Sequence, residues 1–276
     1  MPGTRSSRRA AIACLVVAAG LALAVDVTLV EPFRLEVTHY RVPALVAAPL
    51  TIAHVTDLHT HGLGRRERAV LDALERERPD VIVMSGDSIS TSPEPEIVAD
   101  FLDRLHAPLG IYLVLGNWEH WHAVEEPATF YPAHGVHLLL NENARIRDDV
   151  WIAGFDDLML GKPDLDAGLA GIPPGGFVVG LFHSPAFFDL MQERVPISFA
   201  GHTHGGQVRI PFLRPFWLPR GAGRFLEGWY ENGASKMYVG RGLGTSVLPV
   251  RFNCRPELAI VTLVPLTTSS AGAPSR

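Results

Sequence analysis

The chain has 276 residues, of which 47% are hydrophobic and 19% are charged. This length allows one large domain or two small ones, and this composition argues against intrinsic disorder over most of the chain. The formal net charge of −5 argues against a nucleic-acid partner, because a groove for nucleic acid normally needs a basic surface.

Residues 1–30 have the pattern of a targeting segment. Arginines at positions 5, 8 and 9 precede an unbroken apolar run over residues 10–25, and Ala-Leu-Ala at 22–24 matches a cleavage signal. The apolar run could instead extend to residue 30 and stay in place as a membrane anchor. We therefore predict a cleaved signal peptide or an N-terminal anchor, and in both cases an exported domain outside the cytoplasm. A buried first helix of a cytosolic protein would not need the arginine-rich flank.

Strands and helices are predicted to alternate in the first half of the remaining chain. Helical spacing of apolar side chains predicts helices over residues 65–78, where Pro79 ends the pattern, and over 95–105. Residues 37–46 have the pattern of a strand with its connection, and apolar runs predict strands over residues 50–56, 81–84 and 111–115.

The second half is predicted to be mostly strand. Residues 136–140 and 150–155 have the pattern of paired strands around the polar turn 141–149. The order of elements predicts an α/β sandwich with a mixed sheet, in one domain over residues 37–264, with a disordered tail over 265–276. Further strands are predicted over residues 177–182, 197–200, 236–239 and 258–264.

Five of the predicted strands end in acidic, amide or imidazole residues. Ligands of α/β proteins collect outside the carboxyl ends of strands, so these side chains are expected to converge. In an extended chain, the spacing of Asp57 and His59 places both on one face, as joint binding of a metal requires. Each residue alone would also fit a helix cap, a turn or the core. Together they predict a metal site made of Asp57, His59, Asp87, Asn117, His183, His202 and His204.

The motifs D-x-H, G-D, G-N, H-S and G-H-T-H-G-G, in this order, resemble those of the calcineurin-like metallophosphoesterase superfamily over residues 50–264. Residues 241–257 resemble an exported or membrane-associated bacterial branch of it. The resemblance implies a four-layer α-β-β-α sandwich with two mixed β-sheets. It also implies two divalent ions bridged by Asp87. One ion would be held by Asp57, His59, Asp87 and His204, and the other by Asp87, Asn117, His183 and His202.

Such a site suits the hydrolysis of phosphate esters. Two divalent ions can clamp a phosphate and supply a metal-bound hydroxide, so no side-chain nucleophile is needed. Imidazole, carboxylate and amide ligands suit Mn, Fe or Zn. We predict a hydrolase of phosphomonoesters or phosphodiesters, acting on a phosphorylated small molecule or a phospholipid or other envelope lipid. The alternatives are a UDP-acyl-sugar or nucleotide pyrophosphatase, and a metal-binding recognition protein with weak catalysis.

The chain departs from the family pattern at one position. The family usually has G-N-H-[DE], and here Trp118 stands where the histidine is expected. In the family, that histidine contacts the phosphate and helps to protonate the leaving group. His120 and His122 are the candidates to replace it as the catalytic acid. His122 lies on the same face as Trp118 if the segment is helical, and His120 does if it is extended.

Residues 211–230 follow the last pair of predicted ligands and combine aromatic side chains with arginines. They form either a loop packed on the domain surface or an apolar border of the pocket, in which arginines would anchor a substrate whose acyl chain lies at a bilayer. In the second case Arg220 and Arg224 are candidates to bind substrate, and the protein associates with the membrane. Close to Asp57 and His59 in the chain, His61 is predicted to lie at the rim of the site or just behind its ligands, and His54 in the core. The oligomeric state is left open.

Overall fold

The computed structural model describes residues 3–90, 95–122, 126–191 and 194–266. Helix α1 (Gly3–Val25) comes first, and a wide helical turn (Asp26–Val30) and a 3-10 turn (Glu31–Phe33) continue it to the domain. The stretch Ser7–Phe33 reaches a mean hydropathy of 2.4, and its most apolar window is not buried by other residues. Its 27 residues are enough to cross a bilayer core of about 30 Å. The helix is compatible with a signal sequence and with a membrane anchor.

The described residues contain two mixed six-stranded sheets. The order of the first sheet is β1 (Glu36–Ala44), β12 (Glu257–Pro265), β2 (Leu50–Val55), β3 (Val81–Met84), β4 (Ile111–Leu113) and β5 (Val136–Leu138). Every neighbouring pair in it is parallel except the antiparallel pair β12–β2. The carboxyl ends of β2, β3 and β4 therefore lie at one edge of this sheet.

The second sheet has a parallel centre with an antiparallel pair at each side. The order of the sheet is β10 (Gly228–Asn232), β11 (Ser235–Val239), β9 (Ile197–Ala200), β8 (Phe177–Leu181), β7 (Val150–Gly154) and β6 (Glu142–Arg147). Two strands of the parallel centre, β8 and β9, run directly into predicted ligand motifs at their carboxyl ends.

Three apolar layers hold the two sheets and the helices together. Between the sheets, Ile52 and Val83 belong to the same buried cluster as Val179 and Phe199. A second cluster covers the outer face of the first sheet with helices, and a third covers the outer face of the second sheet. The central strands are buried on both faces, which is why they have continuous apolar runs. The four-layer α-β-β-α sandwich is confirmed, with helices α2 (Arg65–Glu77), α3 (Pro95–Leu102), α4 (Asn117–Trp121), α5 (Pro127–Ala133) and α6 (Leu165–Leu169).

The predicted pairing of residues 136–140 with residues 150–155 is wrong. β5 pairs in parallel with β4 of the first sheet, with Val136 opposite Ile111. The antiparallel partner of β7 is β6, which lies inside the stretch predicted to be a turn. β6 is an edge strand, and edge strands tolerate the charged residues that made this stretch resemble a turn.

The strand β10 and the full length of the strand β12 were not predicted from the sequence. β10 lies partly within residues 211–230, where no strand was predicted, and it pairs with β11 around a turn in which Gly233 has φ 58°. The Asn-Gly dipeptide at 232–233 is a strong hairpin signal that could have found it. β12 reaches Pro265, one residue into the predicted tail. Residues 267–276 of that tail lie outside the described residues.

A buried arginine organises the loop that precedes β12. Arg251 is fully buried, and its guanidinium donates to four backbone carbonyl oxygens at 2.6–3.0 Å, three of them in residues 241–244. The backbone N–H of Gly244 in turn donates to the carbonyl of Asp57 at 2.6 Å. Arg251 thus fixes a loop that lies against the first predicted ligand.

We expect Arg251→Met to lower the free energy of unfolding by roughly 3 kcal/mol, because buried carbonyl groups lose their donors. Thermal unfolding of the full chain in detergent measures the change. Arg255→Met is the matched control, since Arg255 is exposed and close in the chain. Equal melting temperatures for the two variants would contradict this role of Arg251.

Candidate metal centre

The predicted ligands follow strand ends in left-handed backbone conformations. The φ angles are 49° at Asp57, 43° at His59, 51° at Asp87, 70° at His202 and 50° at His204. The prediction that an extended chain places Asp57 and His59 on one face is therefore wrong, although the two side chains do meet. Left-handed conformations are uncommon for residues other than glycine and concentrate at functional sites. The strands stop here, and tight turns direct the side chains to a common point.

One cluster combines four of the predicted ligands. One potential ligand atom from each of Asp57, His59, Asp87 and His204 lies within 4.8 Å of the others, and all four residues are buried. The Nε2 atoms of His59 and His204 are 3.1 Å apart. His59 Nε2 is 3.6 Å from Asp87 Oδ2, and His204 Nε2 is 3.5 Å from Asp57 Oδ1.

A second cluster shares Asp87 with the first. Ligand atoms of Asp87, His183 and His202 lie within 4.8 Å of one another. His183 Nε2 is 3.3 Å from Asp87 Oδ2, 2.9 Å from His202 Nδ1 and 3.0 Å from the Asn117 side-chain oxygen. The structure therefore brings together all seven residues that the sequence singled out as metal ligands. Asp87 Oδ2 lies between the clusters, within 3.6 Å of an imidazole nitrogen of each.

Backbone carbonyls orient three of the imidazole rings. The outer nitrogens of His59, His183 and His202 lie 3.1, 2.7 and 2.6 Å from the carbonyl oxygens of Ile89, Ser85 and Arg220. A nitrogen that donates its proton to a carbonyl leaves the other ring nitrogen with its lone pair directed into the cluster. This is how metal-binding histidines are held in the correct tautomer.

The donor set fits divalent cations. His59 Nε2 and His204 Nε2 cannot satisfy each other when both carry lone pairs, so a cation or a proton must lie between them. His204 Nδ1 is a buried nitrogen that has no hydrogen-bond partner within the described residues. Carboxylate, imidazole and amide ligands match the preferences of first-row transition metals. The residues present therefore fit the metal that such a cluster implies.

The titration of the cluster depends on burial. In the protein alone, burial raises the pKa of Asp57 to about 7 and lowers the pKa of His59 and of His202 to about 3. Burial also opposes the protonation of His183, but the carboxylates of Asp87 and Asp57 outweigh it and raise the His183 pKa to about 10. Most of the imidazoles are thus held neutral, which is the form that binds metal.

Glu119 is a site residue to which sequence analysis gave no role. Its side chain is buried, and Oε2 accepts from the backbone N–H of Asp87 at 2.9 Å and of Gly116 at 2.8 Å. Oε1 accepts from the N–H and the hydroxyl of Ser88, both at 2.7 Å. Glu119 is the third residue of α4, where a carboxylate commonly reaches back to cap the helix start. That spacing from Gly116 was the signal that could have identified it.

A cavity of about 380 Å³ lies over the cluster. Its polar floor is formed by four of the predicted ligands, and most of the other lining side chains are aromatic or aliphatic. Tryptophan is prominent among them, from α4 and from the loop after the last ligand pair. The lining residues are Asp87, Asn117, His202 and His204 with Trp118, Trp121, Met159, Leu160, Trp217, Pro219, Arg220, Ser246 and Val247.

The two histidines near Trp118 lie outside this lining. Helix α4 makes the helical alternative the observed one, and the His122 ring lies 5.5 Å from the Trp118 ring. His120 Nε2 is 2.9 Å from the carboxylate of Asp156, and this hydrogen bond raises the pKa of His120. Trp118 packs edge-on against His59, with ring centres 4.9 Å apart. A catalytic role for His120 or His122 stays a prediction.

The remaining predicted residues separate into two groups. Arg220 lines the cavity, whereas Arg224 pairs with Asp189 at 3.2 Å and stacks on a neighbouring aromatic ring. His61 is exposed and bonds Ser90 at 2.9 Å, as expected for a rim position. His54 is buried in the core, as predicted. Binding of substrate by Arg220 and Arg224 stays a prediction.

We expect Glu119→Gln to weaken metal binding by about 10–100-fold, because the turn that carries Asp87 loses a charged acceptor. Calorimetric titration of the metal-free protein with Mn²⁺ or Zn²⁺ measures the loss. Glu126→Gln is the control, since the Glu126 side chain is exposed and makes no capping hydrogen bond to the described residues of helix α5. Equal affinities in the two variants would show that Glu119 does not position the ligands.

Comparisons with known proteins agree with this geometry. The sequence profile of the calcineurin-like phosphoesterase family matches residues 50–206. The chain is 31% identical over 248 residues to an uncharacterized metallophosphoesterase of Bacillus subtilis, YkuE, covering 84% of this chain and 87% of the relative. It is 27% identical over 249 residues to the phosphodiesterase YaeI of Escherichia coli, covering 85% and 90%. The chain therefore belongs to the calcineurin-like phosphoesterase family and is a hydrolase of ester bonds.

Proposed function

We propose that the protein hydrolyses a phosphate ester with two divalent ions bound at the metal centre. The observation that carries this proposal is the position of Asp87 Oδ2, which lies 3.6 Å from His59 Nε2 and 3.3 Å from His183 Nε2. A single carboxylate oxygen that faces both clusters is what a bridging ligand requires. Asp57 and His204 complete one ligand set, and Asn117 and His202 complete the other.

The protein's own groups orient the ligands and shape the cavity. Two divalent ions bound there would polarise the ester phosphate and lower the pKa of a water molecule. Asp87 keeps Oδ2 free for the ions, because Oδ1 accepts from the backbone N–H of Trp118 at 2.9 Å. The Asp57 carboxylate accepts from the His202 N–H at 2.9 and 3.0 Å, which ties the two ligand turns together. Mn, Fe and Zn all suit these ligands.

The cavity supports an amphiphilic phosphodiester as substrate. Its floor carries the metal ligands, while Trp118, Trp121, Met159 and Leu160 give it apolar walls. Arg220 lines the same cavity and could pair with a second charged group of the substrate. The relative YaeI is named a phosphodiesterase, which supports a diester. An assay of phosphomonoesters, water-soluble phosphodiesters and phospholipids, side by side, tests this preference.

We also propose that α1 remains on the chain and anchors the domain outside the cytoplasmic membrane. Positions 8 and 9 carry arginines before the apolar stretch, and such basic flanks stay in the cytoplasm. The stretch is long enough to span a bilayer. An anchored chain resists extraction from membranes by alkaline carbonate, whereas a chain cleaved after residue 24 does not.

Asp87→Asn is expected to abolish hydrolysis and reduce the bound metal, because the substitution removes the bridging charge from both clusters. Asn tolerates the left-handed conformation at this position, so the fold should persist. Metal content and turnover of a soluble phosphodiester, both at saturating Mn²⁺, are the measurements. Asp100→Asn is the control, since Asp100 is half-exposed and pairs with Arg104 alone among the described residues. Activity near that of the unchanged protein would defeat the two-ion assignment.

Trp118→His is expected to raise turnover of alkyl esters by about 10²–10⁴-fold and to change nitrophenyl esters little. A general acid helps in proportion to the basicity of the departing oxygen. The measurement is turnover as a function of leaving-group pKa. Trp121→His is the control, because Trp121 lines the same cavity outside the usual histidine position. If His120 or His122 already donates this proton, Trp118→His will have no selective effect and the corresponding alanine variant will slow alkyl esters.

A further inference from the structure

Two apolar loops stand exposed beside the cavity. The first, residues 210–217, exposes Phe212 fully and Phe216 and Trp217 to 75% and 65%. The second, residues 246–250, exposes Val247 to 79% and Leu248 to 61%. Large apolar side chains exposed together on a folded domain mark a surface that contacts something else.

The two loops form one surface. The Gln207 side chain donates to the carbonyls of Ser246 and Leu248 at 3.2 and 2.9 Å and accepts from the N–H of Ser246 at 2.9 Å. A second cavity of about 520 Å³ lies between the loops and is lined by Phe216 and Leu248 among others. The apolar tips are therefore held next to each other, and we call residues 210–217 and 246–250 the apolar rim.

The end of the N-terminal helix is attached to the same part of the domain. The N–H of Arg251 donates to the carbonyl of Val27 at 2.9 Å, and the N–H of Cys254 donates to Glu31 Oε1 at 2.5 Å. Leu248 is three residues from Arg251, so its Cα lies at most about 11 Å from that attachment. A bilayer that holds the helix would have its surface near the apolar rim.

The strand register places the end of the N-terminal helix and the metal centre on the same side of the first sheet, namely the side at which β2, β3 and β4 have their carboxyl ends. β12 runs antiparallel to β2, with Ala259 opposite His54, so the start of β12 lies beside the carboxyl end of β2. β1 is parallel to β12, with Glu36 opposite Glu257, so the chain enters the sheet at that same edge. β1 then leads away, and Leu45 follows it at the opposite edge, about 30 Å from Glu36.

The charges of the apolar rim also suit a bilayer surface. Residues 210–224 contain three arginines and no acidic residue. Residues 245–256 also contain no acidic residue, and Arg255 is their one exposed arginine. Arg214 and Arg220 are exposed, and no ion pair joins either of them to another described residue. Arginines that flank apolar tips can bind lipid phosphates while the apolar side chains enter the acyl region.

We propose that the apolar rim docks on the lipid bilayer that holds the N-terminal helix, so that the metal centre opens at the membrane surface. This inference rests on the proposed anchoring of the chain and names the surface that the domain presents. Trp217 and Val247 belong both to the rim and to the lining of the metal cavity. A substrate embedded in the bilayer would therefore reach the metal centre without crossing the aqueous phase.

The full chain, with Cys14→Ser, is reconstituted into nanodiscs of phosphatidylcholine and phosphatidylglycerol. Single cysteines at Phe212→Cys, Leu248→Cys or Leu45→Cys carry an environment-sensitive fluorophore, and the buried Cys254 stays unlabelled. Leu45 is the matched control, since it is 74% exposed and lies at the opposite edge. Lipids with a nitroxide on the acyl chain should quench most of the emission at 212 and 248 and little at 45. Aqueous iodide should give the reverse pattern.

Equal responses at all three positions would overturn the docking. Protection of positions 212 and 248 from iodide without quenching by the lipid nitroxide would also overturn it, because a second copy or another protein would then cover the rim. A chain that fails to purify with the nanodiscs would contradict the anchoring and the docking together. These experiments do not measure hydrolysis. A negative result would therefore contradict the docking proposal without contradicting the two-ion proposal, and the reverse also holds.

Discussion

The architecture of the metal centre depends on how Asp87 is held. Its carboxylate uses one oxygen to accept from the N–H of Trp118 and directs the other toward both imidazole clusters. Its backbone N–H is fixed by Glu119, and its carbonyl accepts from the N–H of His59. The backbone of Asp87 is thus held by two hydrogen bonds and its carboxylate by a third, which together direct Oδ2 toward the two clusters.

The candidate ligands come from both sheets and meet at the carboxyl ends of the strands. The first sheet carries Asp57, His59, Asp87 and Asn117, and the second carries the remaining histidines. The apolar layer between the sheets sets their separation, so packing far from the metal centre controls distances within it. Substitutions that change the volume of this layer would disturb ligand geometry without touching a ligand.

The convergence of the candidate ligands could be predicted from the sequence, but their backbone conformation could not. Strand runs followed by Asp, Asn or His predicted the convergence, because carboxyl ends of parallel strands share an edge. Left-handed turns at Asp57 and His202 depend on tertiary hydrogen bonds and have no local signature when the residue is not glycine. The β6–β7 pairing was missed for a related reason. Charges on β6 suggest a turn, and only the position of this strand at the sheet edge makes them acceptable.

The left-handed backbone at these candidate ligands also limits which residue types can replace them. Asp, Asn, His and Gly tolerate this conformation, whereas β-branched residues are strained in it. Exchanges among the tolerant four alter the charge and the metal preference while the turns keep their shape. Such exchanges therefore leave the backbone conformation of the turns unstrained. The conformation that assembles the centre therefore also makes it easy to change in evolution.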